Sequence, residues 1–132
     1  MYFQWGKHGT CMSTFDTQCY PDYVPTGEIP DFFNRTVTLF QTLPSYDWLA
    51  AANITPSTTT TYTLAQLQAA LNPLHGGQVY FGCTKGQLDE IWYYYNVRGS
   101  IQNGQFVPTD TTTISDCPST GIQYFPKGYV PP

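Results

Sequence analysis

The densest group of chemically able side chains lies near the start of the chain, in the segment Trp5-Gly-Lys-His-Gly-Thr-Cys11. Lys7 and His8 are adjacent within it, and the segment is expected to form the end of a helix that stops near Gly9. An imidazole transfers protons near neutral pH, and an ammonium group stabilises negative charge that develops on a phosphate oxygen. An isolated histidine is more often an ordinary surface residue. The pair alone therefore leaves both interpretations open.

The charge of the whole chain limits what such a pair could bind. Five Lys and Arg against nine Asp and Glu give the 132 residues a formal net charge of -4. Proteins that track along nucleic acid usually carry a continuous basic face, because phosphate neutralisation supplies most of their affinity. The basic residues here are scattered, so any RNA contact is expected to be local, as in a nuclease pocket. No run approaches the ~18 apolar residues of a membrane span.

The four cysteines are even in number and widely spaced: Cys11, Cys19, Cys83 and Cys117. Zinc sites usually pair their ligands at two- to four-residue spacing, which these cysteines do not show, so we expect neither a metal nor another cofactor. Disulfide bonds are the favoured interpretation. Two glycosylation sequons, at Asn34 and Asn53, agree with an oxidising secretory route. Together these features predict a secreted or vacuolar glycoprotein.

Periodicity and capping signals predict the helices that must position these groups. Apolar residues recur at three- and four-residue steps over residues 28–43, which predicts a helix, and a short helix is expected over residues 45–52. Thr63 with Gln66 three residues later is typical of a capping box at a helix start. This helix is expected to end at Pro73 and the glycines that follow it.

The second half of the chain is β-prone. Residues 79–83 predict a buried strand, and the Tyr- and Trp-rich run 91–97 predicts another. Asn103-Gly104 is typical of a two-residue hairpin turn. The proline- and glycine-rich tail, residues 118–132, is expected to be irregular. This order predicts a single α+β domain over residues 1–132, with helices packed on a mostly antiparallel sheet.

The segment from Trp5 to Cys11 resembles the second active-site segment of the ribonuclease T2 family, which reads in full His-Glu-Trp-x-Lys-His-Gly-Thr-Cys. The resemblance continues in order along nearly the whole chain, and it is to the fungal members in particular. The matching segments include Asp31-Phe-Phe33, Leu39-Phe40, Ile54-Thr-Pro-Ser57, Tyr93-Tyr-Tyr-Asn96 and Gly121-Ile122.

The resemblance implies a metal-free endoribonuclease that cleaves single-stranded RNA. In that reaction the ribose 2'-hydroxyl attacks the adjacent phosphorus to give a 2',3'-cyclic phosphate, which water then opens. His8 matches the family's general base and Lys7 its transition-state lysine. Trp5 matches the aromatic residue of the motif, for which packing is the more ordinary role than substrate binding. RNA is the implied substrate, and neither DNA nor a membrane is an expected partner.

The chain departs from the family pattern in two places. Phe3 stands where the family has a phosphate-binding histidine, and Gln4 stands where it has a glutamate. An amide can form hydrogen bonds but cannot carry a proton or a charge for the reaction. The family's first active-site segment, His-Gly-Leu-Trp-Pro, which holds the general acid, occurs nowhere in the chain, and His75 is expected to be structural or exposed. The resemblance thus implies the C-terminal part of the family domain, with the N-terminal half as a partner, and leaves the activity of these 132 residues open.

The resemblance also implies how the cysteines pair. In the family pattern Cys83 pairs with Cys117, whereas Cys11 and Cys19 each pair with an upstream cysteine. A bridge between Cys11 and Cys19 is the alternative.

Two other functions stay open at this point. One is a catalytically inactive family member that binds RNA or acts as a toxin-like module. The other is an unrelated secreted domain that binds glycans through exposed aromatic residues: Trp48, Trp92 and the tyrosines at 93–95.

Overall fold

The structure, a computed structural model, describes residues 2–11, 17–20 and 22–130. The helices are α1 (Tyr2–His8), α2 (Glu28–Gln41), α3 (Ser45–Ala51) and α4 (Leu64–His75). The strands are β1 (Thr61–Tyr62), β2 (Tyr80–Thr84), β3 (Gln87–Trp92), β4 (Tyr94–Arg98), β5 (Gln105–Thr109) and β6 (Ile122–Gln123). None of the helices in these residues is long and apolar enough to cross a bilayer.

The chain divides into two compact units. The first contains Met1–Leu43 and Asn96–Val107, and the second contains Pro44–Tyr95 and Pro108–Pro132. The chain passes between the two units within β4 and again within β5. The expectation of a single domain stays a prediction.

The helices of the second unit begin where the sequence predicts. The Thr63 hydroxyl accepts a hydrogen bond from the Gln66 backbone N–H at 3.1 Å, and the Gln66 side chain accepts one from the Thr63 N–H at 2.8 Å. The predicted capping box of α4 is therefore confirmed. Of the two end signals expected for this helix, Pro73 does not end it, because Pro73 lies inside its last turn and only the bond from its missing N–H to the preceding turn is lost. Gly76 ends the helix instead, with a φ of 86°.

The second unit contains a mixed sheet with the strand order β1-β6-β3-β2. Strands β2 and β3 pair antiparallel with Phe81 opposite Ile91, while β6 runs parallel to β3. The mostly antiparallel sheet of an α+β fold is thus confirmed. Its core lies against α3 and α4 and consists of these buried residues: Leu49, Ile54, Tyr62, Leu67, Leu71, Val79, Phe81, Cys117 and Ile122.

The outer edge of β2 is covered by polar side chains from a later segment of the chain. A free edge would leave N–H groups without partners. Here the segment that leads to Cys117 supplies acceptors to the backbone of β2 and of the residues before it. The pairs are Gln78 N–H with Asp110 at 2.7 Å, Phe81 N–H with Ser115 at 3.0 Å, and Cys83 N–H with Asp116 at 2.7 Å. A disulfide joins Cys83 to Cys117 at the end of this segment.

Three strand predictions need correction. The run 91–97 is not one strand. The strand is interrupted at Tyr93, which separates β3 from β4, and these two strands belong to different sheets. The connection from β4 to β5 is not a two-residue turn but the loop 99–104, because Ile101 turns into the interior and is 1% exposed. The tail predicted to be irregular contains β6, which pairs with β1 and β3.

The first unit has a smaller core among the residues that the structure describes. Tyr20 and Ile101 are its buried members, and Trp5, Phe32 and Phe106 pack against them. The amphipathic helix predicted over residues 28–43 is confirmed as α2, and it contributes Phe32 to this cluster.

Candidate active site

The candidate site is built on α1, in the first unit. Trp5 is partly buried and meets the ring of Phe32 edge to face, with the ring centroids 5.6 Å apart. Gly9 is buried directly against Trp5, so that a side chain at Gly9 would overlap the indole ring. The Trp-x-x-x-Gly spacing of the motif is therefore a packing requirement within this segment, while the Trp5 ring makes the contact with α2.

Lys7 and His8 form the last turn of α1, and both side chains are exposed. The chain turns at once into a short 3-10 segment, Gly9–Cys11, and the Thr10 hydroxyl donates a hydrogen bond to the Gly6 carbonyl at 3.0 Å. Two cationic or protonatable groups thus face solvent at the carbonyl end of a helix whose other face is packed. Such groups can contact a phosphate diester and take a proton from a hydroxyl group beside it.

Several predicted site residues lie beyond what the structure describes in full. The backbones of Phe3 and Gln4 belong to α1, and those of Cys11 and Cys19 belong to short 3-10 segments, but their side chains are outside the described atoms. The roles assigned to these four residues remain predictions.

His75 is placed differently from the other histidine. It lies at the end of α4 in the second unit and is 5% exposed, with its ring 5.1 Å from that of Tyr93 and 5.0 Å from that of Tyr95. Neither ring nitrogen has a hydrogen-bond partner among the described residues. His75 is therefore a packing residue, enclosed by aromatic rings.

The aromatic residues considered for glycan binding belong largely to the interior. Trp48 and Tyr93 pack against the core of the second unit, and the Tyr93 hydroxyl lies 2.7 Å from that of Ser45. Trp92 is 45% exposed, but its ring is tilted against that of Tyr80 with the centroids 4.7 Å apart. These contacts account for the aromatic run as packing rather than as a flat binding platform.

Within the part of the chain that the structure describes, no three His, Cys, Asp or Glu residues are grouped so that they could hold a metal ion.

One supporting residue was missed by the sequence analysis. The Arg35 side chain, on α2, donates a hydrogen bond to the Gly104 carbonyl, and its guanidinium carbon lies 5.1 Å from the centroid of the Phe106 ring. Arg35 therefore fixes α2 to the loop 99–104, and α2 in turn carries Phe32, the partner of Trp5. Because the two ends of this hydrogen bond are 69 residues apart, no local pattern reveals it.

The sequence profile of the Ribonuclease T2 family matches residues 2–117. The chain belongs to the ribonuclease T2 family. The match includes the whole of α1, with Lys7 and His8 at its end.

Two curated relatives illustrate the similarity. Ribonuclease Trv of Hypocrea rufa is 51% identical over 125 residues, which are 94% of this chain and 53% of that protein. A ribonuclease T2-like protein of Aspergillus fumigatus is 49% identical over 130 residues, which are 98% of this chain and 32% of that protein. The chain therefore spans between a third and about half of the length of these relatives.

Among solved structures, the chain is similar to Actibind, which is described as a T2 ribonuclease. The TM-score is 0.89 at 44% sequence identity, over 95% of this chain and 53% of that one. Trichomaglin, described as an S-like ribonuclease, matches with a TM-score of 0.65 at 23% identity, which shows the fold alone.

Proposed function

We propose that the chain is part of an endoribonuclease that cleaves single-stranded RNA without a metal ion. The observation that carries the proposal is the pair Lys7 and His8, exposed at the end of a helix that Trp5 and Gly9 fix by packing. Membership of the family supports it, as do the names of the relatives.

In the proposed reaction His8 takes the proton of a ribose 2'-hydroxyl as the oxygen attacks the adjacent phosphorus. Lys7 stabilises the negative charge that develops on the non-bridging phosphate oxygens. The 5'-oxygen leaves with a proton from a general acid, and a 2',3'-cyclic phosphate forms. This first step uses no water and is of the lyase type, whereas the later opening of the ring by water is a hydrolysis.

The general acid of this scheme is not assigned to a residue of the chain. His75 is a poor candidate because it is buried among aromatic rings. In the family the acid belongs to the His-Gly-Leu-Trp-Pro segment, which these 132 residues do not contain. We therefore propose that full activity requires a complementary half of the family domain, supplied by the same protein.

The test is a cleavage assay on a single-stranded oligoribonucleotide in the presence of a chelator. The chain is assayed alone and after mixing with the part of Ribonuclease Trv that lies outside the 125 residues similar to this chain. We expect cleavage in the mixture, with a product one water lighter than the linear phosphate, and no cleavage of an oligonucleotide with 2'-deoxyribose at the scissile position.

Substitution separates the roles of the two residues. His8→Ala should lower the rate about 10²–10⁴-fold, the usual contribution of a general base, and Lys7→Ala should lower it about 10²-fold or more. Lys127→Ala, at an exposed lysine of the second unit, is the matched charge control and should leave the rate unchanged. Undiminished cleavage by the His8 variant, or cleavage of the deoxy substrate, would overturn the proposed mechanism.

We further propose that the protein is made in the secretory pathway and is secreted or vacuolar. The disulfide between Cys83 and Cys117 supports this, because such bonds persist in oxidising compartments. The sequons at Asn34 and Asn53 support it independently, and we propose that the protein carries glycan. We also propose that Cys11 and Cys19 pair with cysteines outside the chain, and disulfide mapping of the secreted protein from its natural source tests this pairing.

A further inference from the structure

The two sequons occupy different kinds of backbone. Asn53 lies in the turn that follows α3, with a φ of 60°, and its side chain is exposed. The next residue, Ile54, is 4% exposed and points into the core of the second unit, whereas Thr55 is exposed again. The asparagine and the threonine of the sequon are therefore both exposed, on either side of the buried Ile54.

The turn is held in place without use of the sequon side chains. The Asn53 N–H donates to the Ala50 carbonyl and the Ile54 N–H to the Leu49 carbonyl, each at 2.9 Å. The Tyr62 hydroxyl accepts from the Thr55 N–H at 3.1 Å and donates to the Thr55 carbonyl at 2.8 Å. These bonds engage only backbone groups of the sequon.

Asn34 stands in contrast, because it lies in the middle of α2. Side chains two residues apart on a helix point away from each other. The glycosylating enzyme therefore cannot bind the Asn34 amide and the Thr36 hydroxyl at the same time while the helix is formed. The Thr36 hydroxyl also donates a hydrogen bond to the Phe32 carbonyl at 2.7 Å. Modification at Asn34 requires that α2 be unfolded, whereas the Asn53 sequon is already presented.

A groove begins at Asn53 and runs between the end of α3 and α4. Its volume is about 360 Å³, at the small end of the range of ligand pockets, which is about 300–1,000 Å³. Besides Asn53 itself, the lining is largely apolar and includes one further amide side chain: Ala52, Ile54, Tyr62, Gln66, Ala69 and Ala70. The Gln66 carbonyl oxygen is already engaged by Thr63, which leaves its NH₂ group as a donor for a ligand.

We infer that Asn53 is the glycosylated sequon of this chain, in preference to Asn34, and that the first N-acetylglucosamine of the glycan packs in this groove. The apolar face of a sugar ring and its acetamide methyl group suit the alanine-lined wall, and its hydroxyl or acetamide oxygens suit the Gln66 donor. This inference rests on the proposed secretory route, since the modification takes place there.

The modification is a group transfer from a lipid pyrophosphate-linked oligosaccharide. The Asn53 side-chain nitrogen forms a bond to C1 of the first sugar and loses a proton. The bond between C1 and the pyrophosphate oxygen breaks, and the lipid pyrophosphate leaves with the bonding electron pair.

The occupancy test expresses the 132-residue chain behind a secretion leader in yeast, followed by mass mapping of glycopeptides. Thr55→Ala removes the sequon without touching Asn53, and Thr55→Ser is the matched control that keeps it. We expect most molecules to carry glycan at Asn53, fewer at Asn34, and none at Asn53 in the alanine variant. An unmodified Asn53 in secreted chain, or greater occupancy at Asn34, would overturn the inference. Because the leader directs the chain into the secretory pathway, this experiment does not depend on the proposed natural route. If that route is wrong, the natural protein will be absent from secretory compartments, which is a separate observation.

The packing test trims the glycan to its single first sugar and measures thermal unfolding. We expect the trimmed protein to melt about 3 °C higher than both the Thr55→Ala variant and wild-type chain made without glycan, as a stabilisation of about 1 kcal/mol gives at this size. Ala69→Glu places a charge in the groove and should abolish this increase. Ala65→Glu, at an exposed alanine of α4 outside the groove, should preserve it. If Ala69→Glu does not fold, Ala69→Ser replaces it and should reduce the increase. Equal melting temperatures with and without the sugar would refute the packing.

Discussion

The disulfide between Cys83 and Cys117 is expected to contribute strongly to the stability of the second unit. It joins residues 34 positions apart. Closing a loop of this length lowers the entropy of the unfolded chain, and the chain-entropy relation gives about 3.8 kcal/mol at 25 °C. Free energies of unfolding of domains are typically about 5–15 kcal/mol, so this bond accounts for a substantial part of the total.

The perturbation is the double variant Cys83→Ala/Cys117→Ala, compared with wild type by urea unfolding. With a denaturant slope of about 2 kcal/mol/M, the loss lowers the urea midpoint by about 2 M. Cys117 is 6% exposed, so loss of its sulfur also removes packing, and the single variants are needed to separate the two effects. Measurement below about pH 6 limits thiol exchange, because the thiolate is the attacking species.

Loop closure predicts a particular relation among the variants. Either single substitution opens the loop, so each should lose about 3–4 kcal/mol, and the double variant should lose little more than either one. If the two losses instead add, or if the double variant loses less than about 1 kcal/mol, then stabilisation by loop closure is refuted.

Three further substitutions test other parts of the structure by urea unfolding. Thr63→Ala should lower the free energy of unfolding by about 1 kcal/mol, because it removes the cap of α4. Thr63→Ser keeps the capping hydroxyl and should lower it much less, and equal losses would contradict the capping role. Leu67→Ala, at a fully buried position, should lose about 3 kcal/mol, and a loss under about 1 kcal/mol would contradict its place in the core. Burial, and then the charge of Asp31, raise the pKa of Tyr20 from 10.0 to about 12, so deprotonation favours the unfolded state and stability falls as the pH rises through this range. Between about pH 9 and pH 11.5 wild type should lose about 2 kcal/mol more than Tyr20→Phe, and identical pH profiles would exclude this role of Tyr20.

The features that the sequence determined by itself are those set by neighbours along the chain. The capping box at Thr63 and Gln66 and the periodicity of α2 depend on residues within a turn or two of each other, and both were predicted correctly. The motif around Lys7 and His8 identified the family for the same reason, because its residue types and spacing are contiguous.

Other features were decided only by the tertiary structure, because their partners are far apart in the chain. The strand is interrupted at Tyr93 because this residue contacts Ser45 and His75, and the loop 99–104 forms because Ile101 is buried. Local β propensity and an Asn-Gly pair cannot report such contacts, since the free energy of burial depends on which distant side chains arrive at the same place. At the candidate site the sequence named Lys7 and His8, but only the fold showed that they face solvent because Trp5 is packed beneath them against Gly9 and Phe32.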